Sequence, residues 1–213
     1  LIPAGCPRVE EDWAYNGLTY GRWIFTHTGG TAPDQSATDN QSGVQSLSLG
    51  IAAANFATRS RGIAQVIIPS GVFWQFNVGL SLPALSTPAD RFIIRTGIGS
   101  NAANVDQTSG VYFEYSDNLS AGQWRICTAN AGVRTKTISG RFAAVGKVSL
   151  KAFGFTDTQA IFNINGNVVG VNNTDFPTGV ALGFFVGLYN VTATAVHRLD
   201  QDYFAWYYNI PAR

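Results

Sequence analysis

Along most of this chain the side chains change character at every second residue. Val72, Trp74, Phe76, Val78 and Leu80 alternate with Phe73, Gln75, Asn77 and Gly79. Val111, Phe113 and Tyr115 alternate with Tyr112, Glu114 and Ser116, and Leu182, Phe184, Val186 and Leu188 with Gly183, Phe185, Gly187 and Tyr189. A period of two belongs to the β-strand, whose successive side chains point to opposite faces. The helical period of 3.6 is weak everywhere. Each alternating segment therefore predicts one core face and one outer face, and a core face needs a second layer to cover it.

Reading the alternation from end to end predicts strands near 22–28, 44–52, 62–68, 72–80, 91–99, 110–116, 123–129, 132–138, 148–156, 159–165, 167–171, 180–189 and 196–208. Turn-rich pieces separate them: Thr28–Gly43, Ser100–Gly110, Ser116–Gly122 and Asn172–Gly179. Asn165-Gly166 stands between two strand segments, where a two-residue hairpin needs positive φ. Ile51–Arg61 is the one stretch with helical potential. Many strands, frequent hairpins and no intervening helices predict an all-β, two-sheet antiparallel jelly-roll sandwich. No fixed-period repeat and no linker divides the chain. Residues 1–213 are expected to form one domain, with 1–20 as an N-terminal arm or edge strand and 28–43 as a long loop.

Composition narrows the partners. Hydrophobic residues make up 46% and charged residues only 13%, so the outer surface must consist mainly of hydroxyls, amides and glycine. Such a surface suits rigid structural proteins, and also sheets that meet sugars or neighbouring subunits. A formal charge of +1 with basic residues scattered singly lacks the cationic stripe of a nucleic-acid binder. No apolar run reaches the ~18 residues of a membrane span. The chain opens at Leu1 and has no Met, so it is expected to be a processed product, an excised domain or part of something longer. Cys6 and Cys127 lack metal-site clustering. Cys127 reads as a buried thiol, with a Cys6–Cys127 bridge as the alternative.

The outer positions of the alternation supply the candidate site. Phe73, Tyr112, Phe185 and Tyr189 are its aromatics, Gln75 and Asn77 its amides, and Arg91 and Arg95 its cations. If their strands are neighbours they make one apolar, amide-rich patch fit for a ligand; a covering loop or a neighbouring subunit is the competing use of the same face. For catalysis, Asp200 and Asp202 are the one carboxylate pair at i, i+2 spacing in a strand, the spacing that sets two carboxylates on one face as a retaining glycosidase requires. The alternative is an exposed pair neutralised by Arg198 or another arginine, and no catalytic residue is expected. His27 and His197 flank no nucleophile motif. Calcium is the one cofactor left open: Asp39-Asn40, Asp117-Asn118 and Asn172–Asp175 offer oxygens, though such residues also serve turns.

Three stretches carry a resemblance. Gly110-Val111-Tyr112-Phe113-Glu114-Tyr115-Ser116-Asp117-Asn118 followed by Gly122-Gln123-Trp124 is the first. Phe162-Asn163-Ile164-Asn165-Gly166-Asn167-Val168-Val169-Gly170 with Pro177 is the second, and Asp200-Gln201-Asp202-Tyr203-Phe204 the third. In order and spacing they resemble the concanavalin-A-like (laminin-G-like) jelly-roll modules found in tail fibres, tailspikes and decoration proteins of tailed bacteriophages. The likeness covers residues 110–204; the N-terminal half fits only through Ser70–Leu80. Two departures stand out. Gly146–Leu150 replaces an aromatic-led strand, and Gln201 takes an aliphatic position on the face expected to hold Leu199 and Tyr203. The resemblance implies a non-enzymatic virion structural protein on the particle surface. Its partners would be other virion proteins, in a homo-oligomer with a trimer favoured, and a host-surface glycan or receptor. The alternatives are a polysaccharide-cleaving enzyme acting through Asp200 and Asp202, and an architectural protein without ligand.

Overall fold

A computed structural model describes residues 8–12, 23–35, 44–68, 70–101, 105–192 and 194–208. Fifteen strands are present among them: β1 (Arg8–Asp12), β2 (Trp23–Thr28), β3 (Gly30–Gln35), β4 (Gln45–Leu49), β5 (Phe56–Ile67), β6 (Trp74–Leu82), β7 (Arg91–Gly99), β8 (Gly110–Tyr115), β9 (Gln123–Asn130), β10 (Val133–Phe142), β11 (Gly146–Gly154), β12 (Ala160–Ile164), β13 (Asn167–Asn172), β14 (Ala181–Thr192) and β15 (His197–Tyr208). The expected strands are all there with shifted ends. Ile51–Arg61 is not helical: residues 51–54 turn, and β5 starts at Phe56. The run Ala52-Ala53-Ala54 has helical propensity, but the ladders to β2 and β14 draw the chain from Phe56 onward into the sheet. β3 falls inside the stretch expected as a long loop, and β1 pairs with β15. The one helical element among the described residues is the short turn Ser120–Gly122, and no helix there is long and apolar enough to cross a membrane.

The strands form two sheets. One runs β13-β12-β11-β6-β15-β4-β3, with β1 also on β15; the other runs β10-β9-β8-β7-β14-β5-β2. All pairings are antiparallel. Each sheet turns its large apolar side chains to the other. Trp74, Phe76 and Phe162 of the first sheet and Phe113, Ile126 and Leu188 of the second are all fully buried. Aromatic contacts cross the gap: Phe76 meets Phe113 edge-on at 6.4 Å, Phe113 meets Phe162 at 5.2 Å, and Phe184 meets Phe204 at 4.7 Å. Such pairs add about 0.5–1.5 kcal/mol each beyond the burial of their area. Asn165 and Gly166 close the β12–β13 hairpin at φ 50° and 84°, the left-handed pair that Asn-Gly favours.

Alternation fixes faces correctly but not sheets. β6 lies in the first sheet while β7, β8 and β14 lie in the second, so the eight candidate residues do not form one patch. Phe73, Gln75 and Asn77 belong to the outer side of the first sheet, and Tyr112, Phe185, Tyr189, Arg91 and Arg95 to that of the second. Closing the chain, β15 is irregular. Its register on β6 shifts between Gln201 and Tyr203, so Gln201 faces Leu80 on the core side while Tyr203 lies over Gly79 on the outside. Leu199 and Gln201 thus share a face, and Tyr203 does not join them. Cys127 is a free, buried thiol, which removes the proposed bridge; Cys6 lies outside the described residues.

Candidate functional site

The outer face of the first sheet is built on β6 and β11. Their register sets Phe153 opposite Gln75 and Lys151 opposite Asn77, while Val78, Leu80, Leu150 and Ala152 fill the core side. On the other flank of β6, Tyr207 lies opposite Gln75 and Ala205 opposite Asn77. Phe73, just before β6, and Phe155, just after β11, complete an aromatic group. Ring centroids are 5.4 Å apart for Phe73–Phe155, 6.4 Å for Phe73–Phe153 and 6.3 Å for Phe153–Phe155. Lys151 Nζ stands 5.4 Å from the Phe153 centroid, a cation–π contact. Phe155 is 59% exposed; Phe73, Phe153, Gln75 and Asn77 are half-buried. Farther along, Tyr203 covers Gly79, where a Cβ would overlap its ring, and its hydroxyl lies 3.3 Å from Ser149 Oγ.

The outer face of the second sheet is closed and charged. Tyr112, Cys127, Ala129 and Phe185 form a small apolar cluster of their own, with Tyr112 and Phe185 rings 6.1 Å apart. Tyr189 lies over Gly187, and the Arg95 guanidinium stands 5.2 Å above its ring. Tyr112, Phe185, Tyr189 and Arg95, expected on an open surface, are therefore buried. Alternation reports which way a side chain points, not whether that face is covered. Glu114, fully buried, accepts from Arg95 Nε at 2.6 Å, from Arg125, and from Lys136 at 3.2 Å. Asp106 accepts from Lys136 at 2.8 and 2.9 Å and lies 3.2 Å from Arg95 Nε. Burial opposes the ionisation of Asp106, but Arg95, Lys136 and Arg134 outweigh it and hold the carboxyl below its ordinary range. Burial likewise opposes the charge of Arg95, yet Glu114 and Asp106 raise its pKa. Burial pushes the Tyr112 and Tyr189 phenols and the Cys127 thiol well up, so all three stay protonated.

The remaining candidates are engaged inside the fold. Arg91 makes a two-pronged pair with Asp117 at 2.9 Å on each oxygen, and Ser86 Oγ adds a third bond at 2.6 Å. Those bonds, Arg91's first, outweigh burial and hold the Asp117 carboxyl at about 2. That ion pair takes Arg91 off the ligand face and Asp117 out of the calcium reading. Asp175 accepts from Thr135, and Asn172 bridges Thr137 and the Ile126 carbonyl, which is loop anchoring. Asp39-Asn40 lies outside the described residues. No group of three or more His, Cys, Asp or Glu is arranged for a metal among the described residues.

Asp200, 2% exposed, accepts from Ser46 Oγ at 2.5 Å and from Arg198 Nε at 2.6 Å. Asp202 is the extra residue of the irregularity, so the two carboxylates do not share a strand face in the expected i, i+2 way. His197 is buried on the Phe92 ring with Nδ1 2.6 Å from Asn190 Oδ1, and His27 is exposed on β2. Phe153, Phe155 and Lys151 were not among the sequence candidates. The alternation Ser149, Lys151, Phe153 against Leu150, Ala152 carries the signal for Phe153 and Lys151.

No family model matches the chain, and no curated protein matches it. Solved structures do. A protein of unknown function from Shewanella oneidensis MR-1 superposes with a TM-score of 0.64 at 15% identity, covering 97% of this chain and 87% of that one. Peanut lectin gives 0.63 at 9% identity, with 97% and 100% covered. A Bacillus licheniformis β-glucanase gives 0.61 at 11%, with 94% and 97% covered. At these identities the likeness speaks for backbone architecture: the chain is a concanavalin-A-like jelly-roll sandwich.

Proposed function

We propose that this protein is a non-catalytic carbohydrate-recognition module whose binding surface is the outer face of β6 and β11. The observation that carries the reading is the Phe73–Phe153–Phe155 group beside Gln75 and Asn77, partly open to solvent. A sugar offers an apolar C–H face and a rim of hydroxyls. Aromatic rings take the first, and amides that both donate and accept take the second. A soluble protein gains nothing in its own stability from leaving a Phe 59% exposed beside two others. The lectin among the structural neighbours is consistent with such a use of this fold.

Support for the absence of catalysis is chemical. Asp200 is committed to Ser46 and Arg198, and Glu114 and Asp106 are held by shared cations. Each of these carboxylates is thus engaged by partners within the fold. The finer reading places the module on a bacteriophage appendage, in a homo-oligomer at the particle surface; it rests on the three sequence signatures within 110–204.

The test is a glycan array followed by titration of the best neutral oligosaccharide. Phe155→Ala is expected to weaken binding at least tenfold with an unchanged denaturation midpoint, because its side chain lies outside the core. No glycan bound at millimolar concentration would sink the reading. Release of reducing ends from a bound polysaccharide, lost in Asp202→Asn, would replace it with the enzyme.

A further inference from the structure

The charged cluster on the second sheet gathers three cations, Arg95, Arg125 and Lys136, around two carboxylates, Glu114 and Asp106. Exposure of its side chains rises in order from Glu114 at 0% through Arg95 at 9%, Arg125 at 18% and Lys136 at 21% to Asp106 at 30%. Glu114 is thus the floor and Asp106 the mouth. Three cations converge on the floor carboxylate, which neutralises only one of them. Arg125 Nε is a buried donor with no acceptor. At the mouth the Asp106 carboxylate receives both Lys136 contacts, lies 3.2 Å from Arg95 Nε, and lies 3.5 Å from the Tyr112 hydroxyl. This is how a receptor holds a carboxylate: a guanidinium, an ammonium and a neutral hydroxyl in low dielectric.

We propose that Arg95, Lys136, Arg125 and the Tyr112 hydroxyl form a carboxylate-binding site for an acidic sugar, a uronate, and that Asp106 fills it from within the chain. The carboxylate chemistry is independent of the aromatic strip; that a sugar carries it rests on the carbohydrate reading above. Exchange needs no displacement of the main chain. Arg134 Nε and Nη2 bond the carbonyls of Gln107 and Asp106, and Gln107 bonds the backbone of Asn101 in both directions. The backbone at Asp106 and Gln107 therefore keeps its place when the Asp106 side chain is removed or rotates away. Emptied of Asp106, the site leaves two positive charges uncompensated over a buried floor, which selects an anion over a neutral sugar.

The experiment titrates D-glucuronate and D-glucose into the wild type, Asp106→Ala, and Asp106→Ala/Lys136→Ala, read by two-dimensional NMR, with circular dichroism reporting the fold. Glucuronate is expected to bind Asp106→Ala at least tenfold more tightly than wild type, glucose to gain nothing from the substitution, and the double variant to lose the gain. Equal glucuronate affinity in wild type and Asp106→Ala overturns the proposal. So does a gain that survives loss of Lys136. Acetate accepted by Asp106→Ala with glucuronate refused overturns the sugar assignment. Phe155→Ala reads the aromatic strip separately, so failure here leaves that reading standing. Should the double variant unfold, Lys136→Gln on the Asp106→Ala background replaces it.

Discussion

Gln201 is 1% exposed, and neither its amide nitrogen nor its amide oxygen has a partner. It lies opposite Leu80 and shares the core face with Leu199. A buried polar group left unmade costs about 1–3 kcal/mol, whereas leucine of similar volume makes only apolar contacts there. Gln201→Leu is therefore expected to stabilise the protein by about 1–2 kcal/mol, seen as a higher urea midpoint at unchanged slope. A lower midpoint would show that the amide has a use. Asp117 works in the opposite sense. Its carboxyl sits at about 2 against an ordinary 3.8, so its contribution is complete above pH ~5 and is lost as pH falls through 4 towards 2. The difference corresponds to roughly 2 kcal/mol. Asp117→Asn should lower stability by about that amount at pH 7 and flatten the pH 2–4 limb of the stability profile. An unchanged limb would assign acid unfolding to other carboxylates.

At the scale of strands, much was legible because the period-two signal is local. The alternation Val111, Phe113, Tyr115 against Tyr112 and Glu114 is enough to put three side chains in the core and Glu114 outside it. Which strand pairs with which lies beyond local reach. Gln75 and Asn77 point outward as expected, but β6 finds its partners in β11 and β15, far along the chain, and Tyr112 finds its own in β7 and β9. The candidate site was split for that reason. The displaced Asp202 was equally hidden, since an extra residue in a strand leaves composition and period intact on both sides of it.

Gly97 shows what strand pairing demands of a single position. It sits at φ 150° in β7, and a Cβ there would run into the Val111 carbonyl and the Tyr112 backbone on β8. Those atoms belong to the ladder and cannot swing away as a flexible side chain would. Gly97→Ala is expected to cost about 2–3 kcal/mol, measurable as a lowered urea midpoint. Gly132→Ala meets no atom within 4 Å and should cost only the ~1 kcal/mol of its left-handed φ. Equal losses at the two sites would mean that β7 and β8 can part without penalty.

On the scale of the whole molecule, the two strands that organise the sheets come last in the chain. β14 lies between β7 and β5, and β15 lies between β6 and β4 while also carrying β1. The strands β4 and β5 reach the central ladders only through these late partners, and closing such long loops costs entropy before any contact repays it. By contrast β7-β8-β9-β10 and β11-β12-β13 are meanders of consecutive strands, with 10 residues between β7 and β8 and 2 between β9 and β10 and between β12 and β13, so they close at lower entropic cost than the links to β14 and β15. Folding should therefore be slow, in the millisecond-to-second range typical of β-sandwiches, and ordered by loop length. Pulse-labelling hydrogen exchange during refolding is expected to protect the amides of β8, β9, β11 and β12 first. Those of β4 and β5 should follow only as β14 and β15 dock. If β4 and β5 gain protection as early as β8 and β9, the late strands are not what closes the sheets, and pairing begins from a collapsed core in which Trp74, Phe113 and Phe204 have already met.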